Sequence, residues 1–156
     1  MSYMYQKTLI GKTIKDVWIS NEGDYLVFDF DGYAPYYFYV ESECCSSTWI
    51  HEINGRDALR DAEINSVESK DIELPDDKND KDNEDSLESY CLTLTTRKGR
   101  CDIIYRNQSN GYYGGDLTYL DWESDQYGLE DHEHIKEEFK DKSNFKKVEN
   151  DQMTIV

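Results

Sequence analysis

The chain has 156 residues and sets 17 Lys plus Arg against 34 Asp plus Glu, for a net charge of −17 at pH 7. That charge repels phosphate backbones and anionic headgroups, so direct binding to nucleic acid or to a membrane surface is disfavoured unless the few cations cluster. The length suits one domain with a real core, and 37% hydrophobic with 13% aromatic residues is too much for a wholly disordered acidic chain.

The first ten residues include Ser2, Gln6, Lys7 and Thr8 and lack the apolar run of a signal peptide. No run approaches eighteen apolar residues, the length of a spanning helix. A cytoplasmic protein is expected, with Cys44, Cys45, Cys91 and Cys101 kept as thiols.

In chain order, Ile14–Ser20 and Tyr25–Asp31, rich in β-branched and aromatic residues, flank the turn Asn21–Asp24 and predict a hairpin. Tyr36–Val40 adds a third strand. Ser46, Ser47 or Thr48 can cap a short helix over Trp49–Ile53, with Gly55 at its exit. The spacing Leu9-x4-Ile14-x2-Val17 returns as Leu59-x4-Ile64-x2-Val67 and suggests a repeat. The second set of strands is Ile64–Ser69, Tyr90–Thr96 and Cys101–Tyr105, the last two joined by Arg97–Arg100. Residues 75–88 form an acidic, solvated insertion. A further strand, Leu117–Trp122, leads to a helix over about 130–147 with Ile135 and Phe139 on one face.

The expectation is an α+β fold, mainly antiparallel β. Two three-stranded units form a small sheet or partial barrel, with a short helix after the third strand and a C-terminal helix. Residues 1–122 make one β-rich domain carrying the insertion, and 123–156 an acidic C-terminal extension.

The stretch Cys44-Cys-Ser-Ser-Thr-Trp-Ile-His-Glu-Ile53, with Leu59 beyond it, and the stretch Gly99-Arg-Cys-Asp-Ile-Ile-Tyr-Arg-Asn-Gln-Ser-Asn-Gly-Tyr-Tyr-Gly-Gly115 resemble a small, uncharacterised domain family of bacteriophages and prophages. The resemblance runs from about Leu9 to Asp121, leaving out the acidic insertion and the C-terminal helix. It implies a phage-related context, raises the prospect of a host factor as target, and supplies no catalytic residue.

Cys44, Cys45, His51, Cys91 and Cys101 are the soft donors zinc prefers, but no Cys-x2-Cys knuckle is present and adjacent residues of an extended chain point apart. The 76–88 carboxylates lack the EF-hand order. No metal or cofactor is expected. A thiolate at Cys44 or Cys45 activated by the following helix and His51 lacks an orienting partner, so an enzyme is not expected. His132 and His134, among carboxylates, read as part of a solvated helix face.

Charge by segment is −6 over 1–67, −7 over 68–88, +2 over 89–120 and −6 over 121–156. In the one basic segment Arg97, Lys98, Arg100 and Arg106, with Asn110, Tyr112 and Tyr113 of a Gly/Tyr-rich loop, could hold a nucleotide-like small ligand by charge, backbone amides and stacking. The acidic residues Asp76, Asp77, Asp80, Asp82, Glu84, Asp85, Glu130, Asp131, Glu133, Glu137 and Glu138 are the candidates for a surface that mimics DNA phosphates. The favoured expectation is an inhibitor that occupies a basic host protein, with nucleotide capture as the alternative.

Overall fold

Ile14 and Val17 are three residues apart, a spacing that puts them on opposite faces of a regular strand. In the computed structural model, which describes residues 4–42, 45–77, 86–109 and 114–155, a register shift between Ile14 and Asp16 turns both toward the core. This bulged strand is β1 (Ile14–Ser20), which forms an antiparallel meander with β2 (Tyr25–Phe30) and β3 (Tyr36–Ser42). A short helix α1 (Met4–Leu9) precedes it. A second meander joins β5 (Ser66–Ile72), β6 (Ser86–Thr96) and β7 (Gly99–Ser109).

Each meander lends its next strand to the other. β4 (Ser47–Asn54) pairs with β7, and β8 (Gly115–Tyr119) pairs with β3. The sheets therefore run β8-β3-β2-β1-β9 and β10-β4-β7-β6-β5, where β9 (Phe145–Lys147) and β10 (Gln152–Thr154) are edge strands from the C-terminal segment. The repeat is thus visible in the topology, but its unit has four strands, and the result is two open five-stranded sheets in place of two three-stranded units or a partial barrel. At the 50-residue offset, Leu9 and Leu59, then Ile14 and Ile64, are all buried. Gly11 and Asp61 both take positive φ. The two loops are tied directly, since Gly11 N donates to Ile64 O (2.8 Å) and Ile64 N to Lys12 O (2.9 Å).

The main core lies between the sheets, where Leu26, Phe28 and Phe38 of the first meet Ile50, Leu92 and Ile103 of the second. Tyr25, Val27 and Tyr37 face the other way. Helix α2 (His134–Asp141) covers them with Ile135 and Phe139, and Phe145 completes this second cluster. Strands β2 and β3 are apolar on both sides for that reason, since each face of a covered sheet must bury its side chains.

Three element predictions need correction. Residues 49–53 are strand, not helix: a ladder from Ser47↔Gln108 to Asn54↔Asp102, broken only by a bulge at His51, and β-branched and aromatic side chains outweigh a one-turn helix held by a hydroxyl cap. Gly55, at φ 92, opens the 3-10 turn Arg56–Leu59; a Cβ there would sit 2.1 Å from Arg100 O, so only glycine fits. The strand expected from Ile64 begins at Ser66. The C-terminal helix spans eight residues, follows a 3-10 turn at Leu129–His132, and stops where Lys142 turns left-handed and Phe145–Lys147 joins β1. Since β9 and β10 extend one sheet each, residues 123–156 are built into the domain and are not appended to it.

Candidate functional site

The four predicted anion-binding cations are not one cluster. Arg100 and Arg106 sit on the same strand, six residues and about 20 Å apart. At the hairpin, Arg97 Nη2 donates to Asp61 O (3.2 Å), Lys98 Nζ to Arg60 O (2.6 Å), and Arg100 pairs with Asp102 at 3.3 Å.

At the other end Arg106 lies on the outer face of its sheet, with its side chain 7% exposed. Its fork engages Asp76 through two bonds of 3.1 and 2.5 Å, reaches Asp77 at 3.5 Å, and its Nε donates to Ser89 Oγ. Asp77 in turn accepts from Leu74 N and Ser89 Oγ, both at 2.8 Å. The start of the acidic insertion thus folds back and neutralises the cation that a phosphate was expected to meet. Arg106 holds the Asp76 carboxyl below its ordinary pKa, chiefly by hydrogen bonding. The Asp77 side chain, 7% exposed, is not part of the outer acidic surface. Asn110, Tyr112, Tyr113, Asp80, Asp82, Glu84 and Asp85 lie outside the described residues.

The remaining acidic candidates share one scaffold. Residues 121–141 contain nine carboxylates and two lysines, and Glu130, Asp131, Glu133 and Glu137 are exposed while Glu138 is half-buried. Phe139 anchors the segment against Trp18, Tyr37 and Phe145, with ring centroids 5.2 to 6.0 Å apart. Lys136 lies 4.0 Å over the Trp122 ring, and Lys142 lies 4.1 Å over Phe139, so two of the nearby cations are turned inward onto aromatics. Beside them a 270 Å³ cleft at the β1–β2 turn is lined by Glu22, Asp24, Glu138 and His134. Tyr127, in the same segment, is 100% exposed. Its only sequence signal is an aromatic residue within a polar run.

His132 does not belong to a solvated helix face. It is half-buried, its ring 4.4 Å from that of Tyr39, and its Nδ1 is 2.8 Å from the Tyr25 hydroxyl. Burial, then the charge of Asp24, pushes the Tyr25 pKa far up. The phenol keeps its proton, and the His132 tautomer sets which of the two groups donates in this bond. Burial lowers the pKa of His132 itself, so the neutral imidazole is favoured.

Cys91 and Cys101 are buried; burial pushes the first thiol up and the second to about 12, the opposite of nucleophile activation. Cys45 is exposed at φ 71 and precedes a strand, so no helix dipole acts on it; Cys44 is outside the described residues. Among the described residues no three His, Cys, Asp or Glu side chains converge as a metal site would require. No helix of the described residues is long and apolar enough to cross a membrane.

Searches of the curated proteins and of the solved structures find no match. A family model does match, over residues 7–119. That span takes in both meanders, both exchanged strands and the acidic insertion, and it ends before α2 and the edge strands. The chain therefore belongs to the domain of unknown function family DUF7448.

Proposed function

We propose that this protein acts by binding and not by chemistry, as a phage-type inhibitor whose acidic face occupies a basic surface on a host defence or nucleic-acid-processing protein. The observation that carries this reading is the segment 121–141, which holds nine carboxylates, a fully exposed Tyr127 in the turn before Leu129–His132, and the helix α2 that Phe139 anchors. Rigidly held carboxylates can stand in for DNA phosphates and speed encounter with a basic groove. An exposed aromatic in the same segment is the kind of side chain that dominates interface energy. The Arg106 network narrows the surface, because the Asp77 side chain is buried and the exposed Asp76 is paired with Arg106, while Glu130, Asp131, Glu133 and Glu137 are exposed.

The test is affinity capture from host cells with the wild-type chain and with a Glu130→Lys, Asp131→Lys, Glu137→Lys variant. The expected partner has a basic surface, elutes steeply between about 0.1 and 0.5 M salt as screening tightens, and is lost with the variant. Its DNA-dependent activity is blocked by the wild type alone. A partner that binds both chains equally sinks the acidic-face assignment.

A further inference from the structure

Where the two repeat loops meet, a cleft of 370 Å³ opens between Gly11–Lys15, Asp31, Tyr33, Arg60 and Asp61. The volume is in the range of small-molecule sites. Its charge runs against that of the whole chain: Lys12, Lys15 and Arg60 line it, and Arg97 and Lys98 are fastened to the carbonyls of Asp61 and Arg60 beside it. Asp31 and Asp61 also line it.

Each lining cation is pre-placed and keeps donors for a ligand. Lys12 Nζ gives one of its three protons to Thr8 O (2.6 Å), and Arg60 uses Nε on Asp57 (3.2 Å) and Nη2 on Glu149 O (2.6 Å) out of five N–H donors. Lys15 meets Asp31 at 3.5 Å, an exposed pair at 55% and 87%, of the kind that is weak in water and easily exchanged for a stronger anion.

Behind the cleft stands Arg56, 1% exposed. It donates to Lys15 O (2.9 Å) and Val148 O (3.2 Å), has no carboxylate at ion-pair distance among the described residues, and leaves Nη1 without a partner. Burial lowers its pKa first and the nearby charge of Arg60 next. Its nearest acidic influences, Asp16 and Asp57, lie beyond ion-pair distance, so this buried cation keeps a positive potential that a bound anion relieves. Tyr33 adds a flat apolar element. It is 62% exposed, edge-on to Phe30, with Lys12 Nζ 5.1 Å from its centroid.

We propose that this cleft binds a nucleotide, its phosphates held by Lys12, Lys15 and Arg60 and its base stacked on Tyr33. The site is made of parts from both repeats and shares no residue with the acidic face, so the two proposals stand or fall separately. It also differs from the nucleotide site expected at Arg106 and the Gly/Tyr-rich loop.

The test is isothermal titration calorimetry of the full chain with ATP, inorganic tripolyphosphate and adenosine, at low and at 0.3 M salt. ATP is expected to bind more tightly than tripolyphosphate, with adenosine weakest and salt weakening both phosphate ligands. Lys12→Ala and Arg60→Ala should each lower ATP affinity roughly tenfold. Tyr33→Ala should lower it by a similar factor while leaving tripolyphosphate unchanged. Neither Lys12 nor Tyr33 is buried, and each touches the core only at its edge, at Tyr36 and Phe30, so these two variants keep the test valid if Arg60→Ala unfolds. No heat from ATP at millimolar concentration overturns the proposal, as does ATP binding that survives Lys12→Ala. Tripolyphosphate binding as tightly as ATP overturns the assignment of Tyr33 to a base.

Discussion

The two ends of the β1–β2 hairpin are built from the same two strands and carry opposite chemistry. At the turn, Ser20 Oγ donates to Asp24 (2.6 Å), and Glu22, Asp24 and Glu138 border a cleft next to the acidic α2 segment. At the open end, Lys12 and Lys15 meet Arg60 from the second repeat, with buried Arg56 behind. A seven-residue strand separates them by about 20 Å, roughly twice the screening length at physiological salt, so a charged ligand at one end scarcely feels the other. Net charge is a poor guide to either end. The chain is acidic overall, yet its topology gathers scattered cations, forty-five residues apart between Lys15 and Arg60, into one place.

The largest break in this comparison should come from Phe139→Ala, which removes the ring that seats α2 on the sheet. A loss of about 3 to 5 kcal/mol is expected in urea unfolding. If stability survives but hydrogen exchange rises only over 129–147, the acidic end is a separable lid on an intact sandwich. Arg56→Ala attacks the open end. It strands two buried carbonyls and opens a cavity, for about 2 to 3 kcal/mol, while Arg56→Met, which keeps the volume and removes the uncompensated charge, should cost less. A larger loss for Met than for Ala would contradict the account of Arg56 as an unneutralised cation.

A pH effect distinguishes the ends more finely. Folded His132 resists protonation because it is buried against Tyr39, with the nearby His134 acting in the same direction. As pH falls below about 6.5, the unfolded chain therefore takes up the proton first. Stability is full above that value and declines with acidification, in the direction linkage requires when the unfolded state binds more protons. His132→Phe should flatten the decline between pH 6.5 and 5, measured by thermal melts. The smallest effect expected is from Tyr127→Ala, within about 0.5 kcal/mol, because a fully exposed ring has no packing to lose. A stability change beyond that would mean Tyr127 is packed, and would remove it as a docking residue.

Much of the architecture is legible in the residues themselves. The β-branched and aromatic runs of β1 to β3, the β6–β7 hairpin and the Ile135/Phe139 face of α2 all follow from local side-chain patterning. The Leu-x4-Ile-x2-Val repeat is a true signal of the paired loops. Other features depend on distant partners. Residues 49–53 carry helix-compatible caps but become strand because β7 offers a ladder of seven residue pairs. The C-terminal Phe145–Lys147 looks like helix until β1 presents an open edge. His132, read as solvent-facing from its acidic neighbours, is drawn in by Tyr25 and Tyr39 from the sheet.

For the sites the division is sharper. Composition alone determined that most of the surface is acidic, that basic residues are few and that the aromatic content supports a β-rich core. Which cations are neutralised and which face a cleft was decided by tertiary structure. Arg106 is matched by Asp76 and Asp77 from thirty residues upstream, whereas Lys12, Lys15 and Arg60 converge only because the two repeat loops hydrogen-bond to each other. Local pattern sets which face of a strand a side chain takes. The charge it meets there is set by chain segments that sequence separation does not relate.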